Sequence, residues 1–170
     1  MNDIIEYILD NRSAKKASYD YRIGKINELK AIEALVDFYI VKGIVTNYQP
    51  INSYETWPDG EYHNEPDFYF FKGKDQVFSI EVKFSNTGNF FNDLIYIKPN
   101  PFWISQKYPS TYPNFKVLVA TSEHFTIIDA KEFTPDKLKI AEEWSNENYQ
   151  KKVYKFSTKR EWFDWVSQIE

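Results

Sequence analysis

Two short apolar runs around a five-residue polar break constrain this chain most. Phe68-Tyr69-Phe70-Phe71 and Val77-Phe78-Ser79-Ile80-Glu81-Val82-Lys83-Phe84 flank Lys72-Gly73-Lys74-Asp75-Gln76, which reads as a β-hairpin. Residues two apart on a strand share a face, so Glu81 and Lys83 point one way and Val82 the other. A turn centred on Lys74 would set Phe71 opposite Val77, Tyr69 opposite Ser79 and Asp67 opposite Glu81. A two-residue turn would move these pairs onto a diagonal. Directly opposed side chains have Cβ atoms about 4.5–5.5 Å apart. Two carboxylates that close repel, and a hard cation that prefers oxygen ligands, such as Mg²⁺, resolves the conflict. Lys83 adds an ammonium able to orient water and to neutralise charge developing on a phosphate. Carboxylates, a divalent cation and a lysine form a kit for phosphodiester hydrolysis. The ordinary structural alternatives are a turn at Pro66-Asp67 and a solvent-facing Glu81–Lys83 pair on an edge strand.

The rest of the chain reads as mixed α/β. Residues 3–9 have the pattern of a short amphipathic helix, followed by a polar arm. Residues 25–42 carry the clearest helical periodicity, closed by Gly43. Ala31, Ile32, Leu35, Val36, Tyr39 and Ile40 form its apolar stripe, and Glu28 falls inside that stripe. A carboxylate facing a core is costly unless paired, although an acid in the first turn also suits the helix dipole. Strands are expected at 44–48, 94–98, 115–120 and 125–129. Residues 49–66 and 85–93 read as loops, and Pro99–Pro113 as a proline-rich connection. Thr134-Pro135 predicts a helix start. A final helix is expected from Ser157 or Thr158, carrying Trp162, Phe163, Trp165, Val166 and Ile169. The expected architecture is one domain: an N-terminal arm (1–21), a core (22–130) with a central mixed sheet of four to five strands flanked by helices, and C-terminal helices (131–170).

Composition narrows the chemistry. A chain of 170 residues suits one domain with a sizeable core. With no cysteine there is no disulfide framework, thiolate metal site or cysteine nucleophile. His63 and His124 alone cannot build a histidine-rich zinc site. No apolar run is long enough for a transmembrane helix, and the acidic start Met1-Asn2-Asp3 lacks the basic region of a secretory signal. The expectation is a cytoplasmic protein without a membrane partner. The net charge of −4 gives no global footprint for nucleic acid, so a nuclease here would need its basic residues gathered on one face. Aromatics reach 19%, enough both to fill a core and to supply stacking surfaces.

At these residues the chain resembles the PD-(D/E)XK nuclease superfamily. The resemblance rests on Gly24-x-x-x-Glu28-x-x-Ala31 in the first helix, Pro66-Asp67 at a strand, and Glu81-Val82-Lys83 on the next. It spans roughly residues 22–130 and implies a restriction-endonuclease-like core. It further implies that Asp67 and Glu81 bind Mg²⁺ (Mn²⁺ substituting) with the Val82 carbonyl. Lys83 would position the nucleophilic water, and Glu28 would hold a second metal or metal-bound water. The implied function is a metal-dependent DNA endonuclease, restriction-like and acting as a homodimer. The alternatives are a Holliday junction resolvase, a viral or repair nuclease of the same fold, or a non-catalytic binding module that kept the fold. An assembly subunit with no nucleic-acid role is a third class, suited to the acidic balance and aromatic excess.

Weaker candidates surround this set. Ser85, Asn86 and Asn89 follow the lysine and could touch a phosphate, as could a plain polar loop. Lys98, Gln106 and Lys107 lie near Tyr96, Trp103 and Tyr108, a basic-aromatic mixture able to contact DNA. Residues 94–113 and the N-terminal helix are the candidates for dimer or DNA contacts. Both histidines read as non-catalytic.

Overall fold

The computed structural model describes residues 29–51, 65–85, 90–121 and 123–165. Glu28, Asn86, Asn89, His63 and the expected N-terminal helix lie outside them. The first helix, α1, runs over 29–41 and buries Ala31, Ile32, Leu35 and Val36 of the predicted stripe, whereas Ile40 at its C-terminal end is exposed. It ends in a Schellman closure. The Gly43 amide donates to the Ile40 carbonyl at 2.9 Å and the Ile44 amide to Tyr39 at 3.0 Å. Gly43 sits at φ 72°, a left-handed conformation that a residue without Cβ adopts at least cost.

Strands β1 (Asn47–Pro50), β2 (Phe68–Lys72) and β3 (Asp75–Phe84) form an antiparallel meander. The chain then leaves the sheet through β4 (Leu94–Ile97) and helix α2 (Asn100–Lys107). It returns as β5 (Phe115–Ala120), parallel to β3, followed by the antiparallel β6 (His124–Asp129). With β9 (Phe163–Asp164) the sheet order is β1-β2-β3-β5-β6-β9. A second, antiparallel sheet has the order β4-β8-β7, from β7 (Leu138–Ile140) and β8 (Lys152–Ser157).

The main sheet is covered on both faces. On one, Phe68, Phe70, Ile80, Val82, Leu118, Ala120 and Phe125 pack against α1. On the other, Phe115, Val117, Val119 and Ile128 pack against Ile95, Ile97, Tyr154 and Phe156 of the second sheet, with Phe102 of α2 alongside. Burying this much apolar and aromatic surface is the dominant favourable term in such a core.

Mixed α/β architecture is correct, but three expectations change. The central sheet has six strands rather than four to five, because β1 and β9 extend its edges. The segment after residue 131 contains strands where a helix from Thr134 and the start of the final helix were expected; Val166 and Ile169 of that final helix lie outside the described residues. Pro135–Lys137 is a single 3₁₀ turn that leads into β7. β8 buries Tyr154 and Phe156 toward the main sheet and Val153 on its other face, a demand that a central strand meets and a one-sided helix does not. Among the described residues of the proline-rich connection, Asn100–Lys107 is helical, with Pro101 in the first turn where its missing N–H costs nothing.

Candidate active site

The hairpin reaches the expected Tyr69–Ser79 pairing by an unexpected route, while Phe71, expected opposite Val77, faces Gln76 instead. Its turn is a two-residue one, Gly73-Lys74, with Lys72 opposite Asp75 and Phe71 opposite Gln76. A β-bulge between Phe70 and Phe71 then places an extra residue, Val77, in β3. Beyond it Phe70 faces Phe78, Tyr69 faces Ser79 and Phe68 faces Ile80. Past the last pair, Phe68 with Ile80, the Asp67 amide donates to the Ile80 carbonyl at 2.9 Å, so Asp67 enters beside Ile80 rather than squarely opposite Glu81. The bulge cancels the one-residue offset of the tight turn. Without it every β3 side chain past the turn would exchange faces.

Asp67 is held at both ends of its peptide unit. Its carbonyl accepts the Ile51 amide at 2.9 Å beyond β1, and its carboxylate Oδ2 accepts the Val82 amide at 2.9 Å. The side chain thus takes the ladder place that a backbone carbonyl would fill. The Ile80 carbonyl points toward the β2 side, and peptide groups of alternate residues point to the same neighbour, so the Val82 carbonyl turns toward that side as well.

Glu81 and Lys83, both half-buried, share the face opposite α1, since Ile80 and Val82 are the residues packed on the helix. Glu81 keeps its Oε1 out of solvent. Lys83 extends its Nζ to 5.2 Å from the centre of the Trp144 ring. Trp144 belongs to a 3₁₀ turn (Glu142–Trp144) between β7 and β8, so the second sheet supplies the wall facing the lysine. Helix α1 lies on the other face.

At the opposite end of the site Tyr112 stacks on Tyr69, with ring centroids 6.1 Å apart and planes 14° apart. Burial, then the proximity of other ionisable groups including Glu65, pushes both phenols up, keeping them protonated. Ser79, opposite Tyr69, is fully buried. Beside Trp144, Tyr96 donates its hydroxyl to both carboxylate oxygens of Glu143, at 2.9 and 2.8 Å. Burial first, then that carboxylate, pushes Tyr96 up to about 12. Glu143 is held down by its own backbone amide and then by the Tyr96 hydroxyl.

Among the remaining candidates, Ser85 closes β3 through its amide, which donates to Ala120 at 2.9 Å. Lys98 is exposed just past β4. Lys107 is exposed in the last turn of α2 with its Nζ 5.4 Å from the Tyr108 ring. His124 is exposed at the start of β6. Trp144, the aromatic neighbour of Lys83, carries no motif that would single it out from the sequence.

The oxygen donors available at the hairpin are Asp67, Glu81 and the Val82 carbonyl. Among the described residues no group of three or more histidine, cysteine or acidic side chains is placed to hold a metal ion. A pair of carboxylates still fits Mg²⁺, which commonly binds through one or two carboxylates and keeps several waters. No helix among the described residues is long and apolar enough to cross a membrane. No protein-family profile, curated protein or solved structure matches the chain.

Proposed function

We propose that this chain is a Mg²⁺-dependent DNA endonuclease with a restriction-endonuclease-like core. One observation carries the reading: the Asp67 carboxylate accepts the Val82 amide at 2.9 Å, on the residue between Glu81 and Lys83, which share one face of β3. Asp67, Glu81 and the Val82 carbonyl are the residues that would hold the ion, and Glu28 is the further acid that the family resemblance implies. Bound there, Mg²⁺ supplies Lewis acidity at the phosphoryl oxygen and offsets carboxylate repulsion. Lys83 orients the attacking water and neutralises charge growing on the phosphate. The Asp67–Val82 hydrogen bond fixes one carboxylate in place before substrate arrives, the preorganisation such chemistry rewards.

One such site cuts one strand, so a double-strand break calls for a two-fold homodimer. Trp103 of α2 and Tyr108 just past it remain 45% and 50% exposed in the segment expected to make dimer or DNA contacts. A second reading, a non-catalytic binding module, is favoured by the same hydrogen bond, since Oδ2 of Asp67 has a structural task.

Supercoiled plasmid incubated with Mg²⁺ and wild-type protein, beside Asp67→Ala and Lys83→Ala, separates these readings. The nuclease reading expects cleavage by the wild type alone. Discrete fragments indicate a restriction role, and preference for branched substrates indicates junction resolution. Equal behaviour of the three proteins removes the catalytic assignment.

A further inference from the structure

We infer that the outer face of the second sheet, from Lys83 across Trp144 to Lys151 and Lys155, seats the phosphodiester backbone of duplex DNA. The identity of the anion rests on the nuclease reading above. The surface itself rests on a run of contacts leading away from the hairpin. Lys83 and Lys151 place their Nζ atoms 5.2 and 5.6 Å from the centre of the Trp144 ring. Tyr96 meets Trp144 edge-on at 5.2 Å, and Lys155 lies 4.7 Å from the centre of the Tyr96 ring. Tyr96 and Lys155 are direct cross-strand partners on β4 and β8. Ring faces attract ammonium groups, so each of these lysines is held extended over an aromatic surface.

The support beneath them is well built. The Ala141 amide donates to the Lys151 carbonyl at 2.7 Å, and the Ser145 hydroxyl donates to the Ala141 carbonyl at 2.6 Å. The Lys151 amide donates to Ser145 Oγ at 2.9 Å. Residues 141–151 therefore close on themselves, with Ala141 and Val153 buried under Trp144. Acids are also present: Glu142 and Glu147 are exposed, and the Glu143 carboxylate is engaged by the Tyr96 hydroxyl.

Lysine contacts to phosphate release counterions, so each one adds about 0.9 to the slope of log affinity against log salt. The test measures anisotropy of a labelled DNA duplex with the full-length Asp67→Asn protein in Mg²⁺ across a salt series. Lys151→Ala and Lys155→Ala are added to it singly, with Lys42→Ala, whose Nζ lies over Phe38 at the end of α1, as the control. The inference expects each of the first two to weaken binding several-fold and lower the slope by about 1, while Lys42→Ala changes neither. Trp144→Phe should retain more affinity than Trp144→Leu at equal thermal stability. Unchanged affinity and slope in Lys151→Ala and Lys155→Ala, or no duplex binding by the parent, overturns it. Binding lost in these variants while the wild type leaves plasmid intact keeps the surface and removes the nuclease reading.

Discussion

The Asp67 carboxylate accepts the Val82 amide at 2.9 Å, tying the end of one hairpin strand to the residue between Glu81 and Lys83. This contact makes Asp67 both a structural and a chemical residue, and the two roles separate by substitution. Asparagine keeps an acceptor oxygen for the amide but loses the charge. Alanine loses both and leaves a part-buried N–H without its acceptor. Asp67→Ala should therefore cost about 1–3 kcal/mol, whereas Asp67→Asn should melt close to wild type. Both should abolish Mg²⁺-dependent cleavage. Calorimetry beside a plasmid assay checks the split.

Gly73 is the left-handed residue of the hairpin turn, at φ 63°. A Cβ there would meet nothing within 4 Å, so the cost of Gly73→Ala is that of the backbone alone. About 1–2 kcal/mol is expected, with Gly73→Asn costing less because asparagine tolerates this conformation. Urea titration of the two variants gives the order.

Arg160 fastens the returning C-terminal segment to β6. Its Nε donates to Thr126 Oγ1 at 3.1 Å, and its Nη2 to the Ile127 carbonyl at 2.8 Å and to Glu132 at 3.2 Å. Arg160→Ala should cost about 1.5–3 kcal/mol, the range for hydrogen bonds to charged groups. Lysine lacks the planar fork, so Arg160→Lys should recover only part of it. For a chain of this size each kcal/mol shifts Tm by about 2–4 °C.

Tyr96 sets a dependence on alkaline pH. Its phenol ionises at its ordinary value of 10.0 once unfolded but at about 12 in the fold. A raised folded pKa contributes stability that is complete below the unfolded value and is lost as pH climbs through the folded one. Stability should therefore fall between pH 10 and about 12, and Tyr96→Phe should make that fall shallower. Denaturant midpoints measured across this window test the difference.

The hairpin and its face assignment were legible because strand alternation is local and Phe68–Phe71 and Val77–Phe84 declare it. The pairing of Tyr69 with Ser79 was also legible, but its cause was not. A symmetric turn centred on Lys74 predicts it, and the chain obtains it from a tighter turn plus the bulge. The α1 stripe and Gly43 closure follow equally from local spacing. The C-terminal third misleads because Trp162, Phe163 and Trp165 have helical spacing. Phe163 instead pairs with Phe125 on the edge of the main sheet, and Trp165 stacks on Phe125 with ring centroids 4.1 Å apart. Those partners lie about forty residues away, so no local pattern announces them. For the same reason Trp144 over Lys83 could not be read from either segment alone.

The most direct test is single-turnover cleavage of a labelled DNA duplex in Mg²⁺ by wild type, Asp67→Asn, Glu81→Gln and Lys83→Met, each shown to be folded. The account predicts cleavage by the wild type and losses of about 10²–10³-fold or more in every variant. A wild type that leaves the duplex intact, or variants that cleave at its rate, would contradict it.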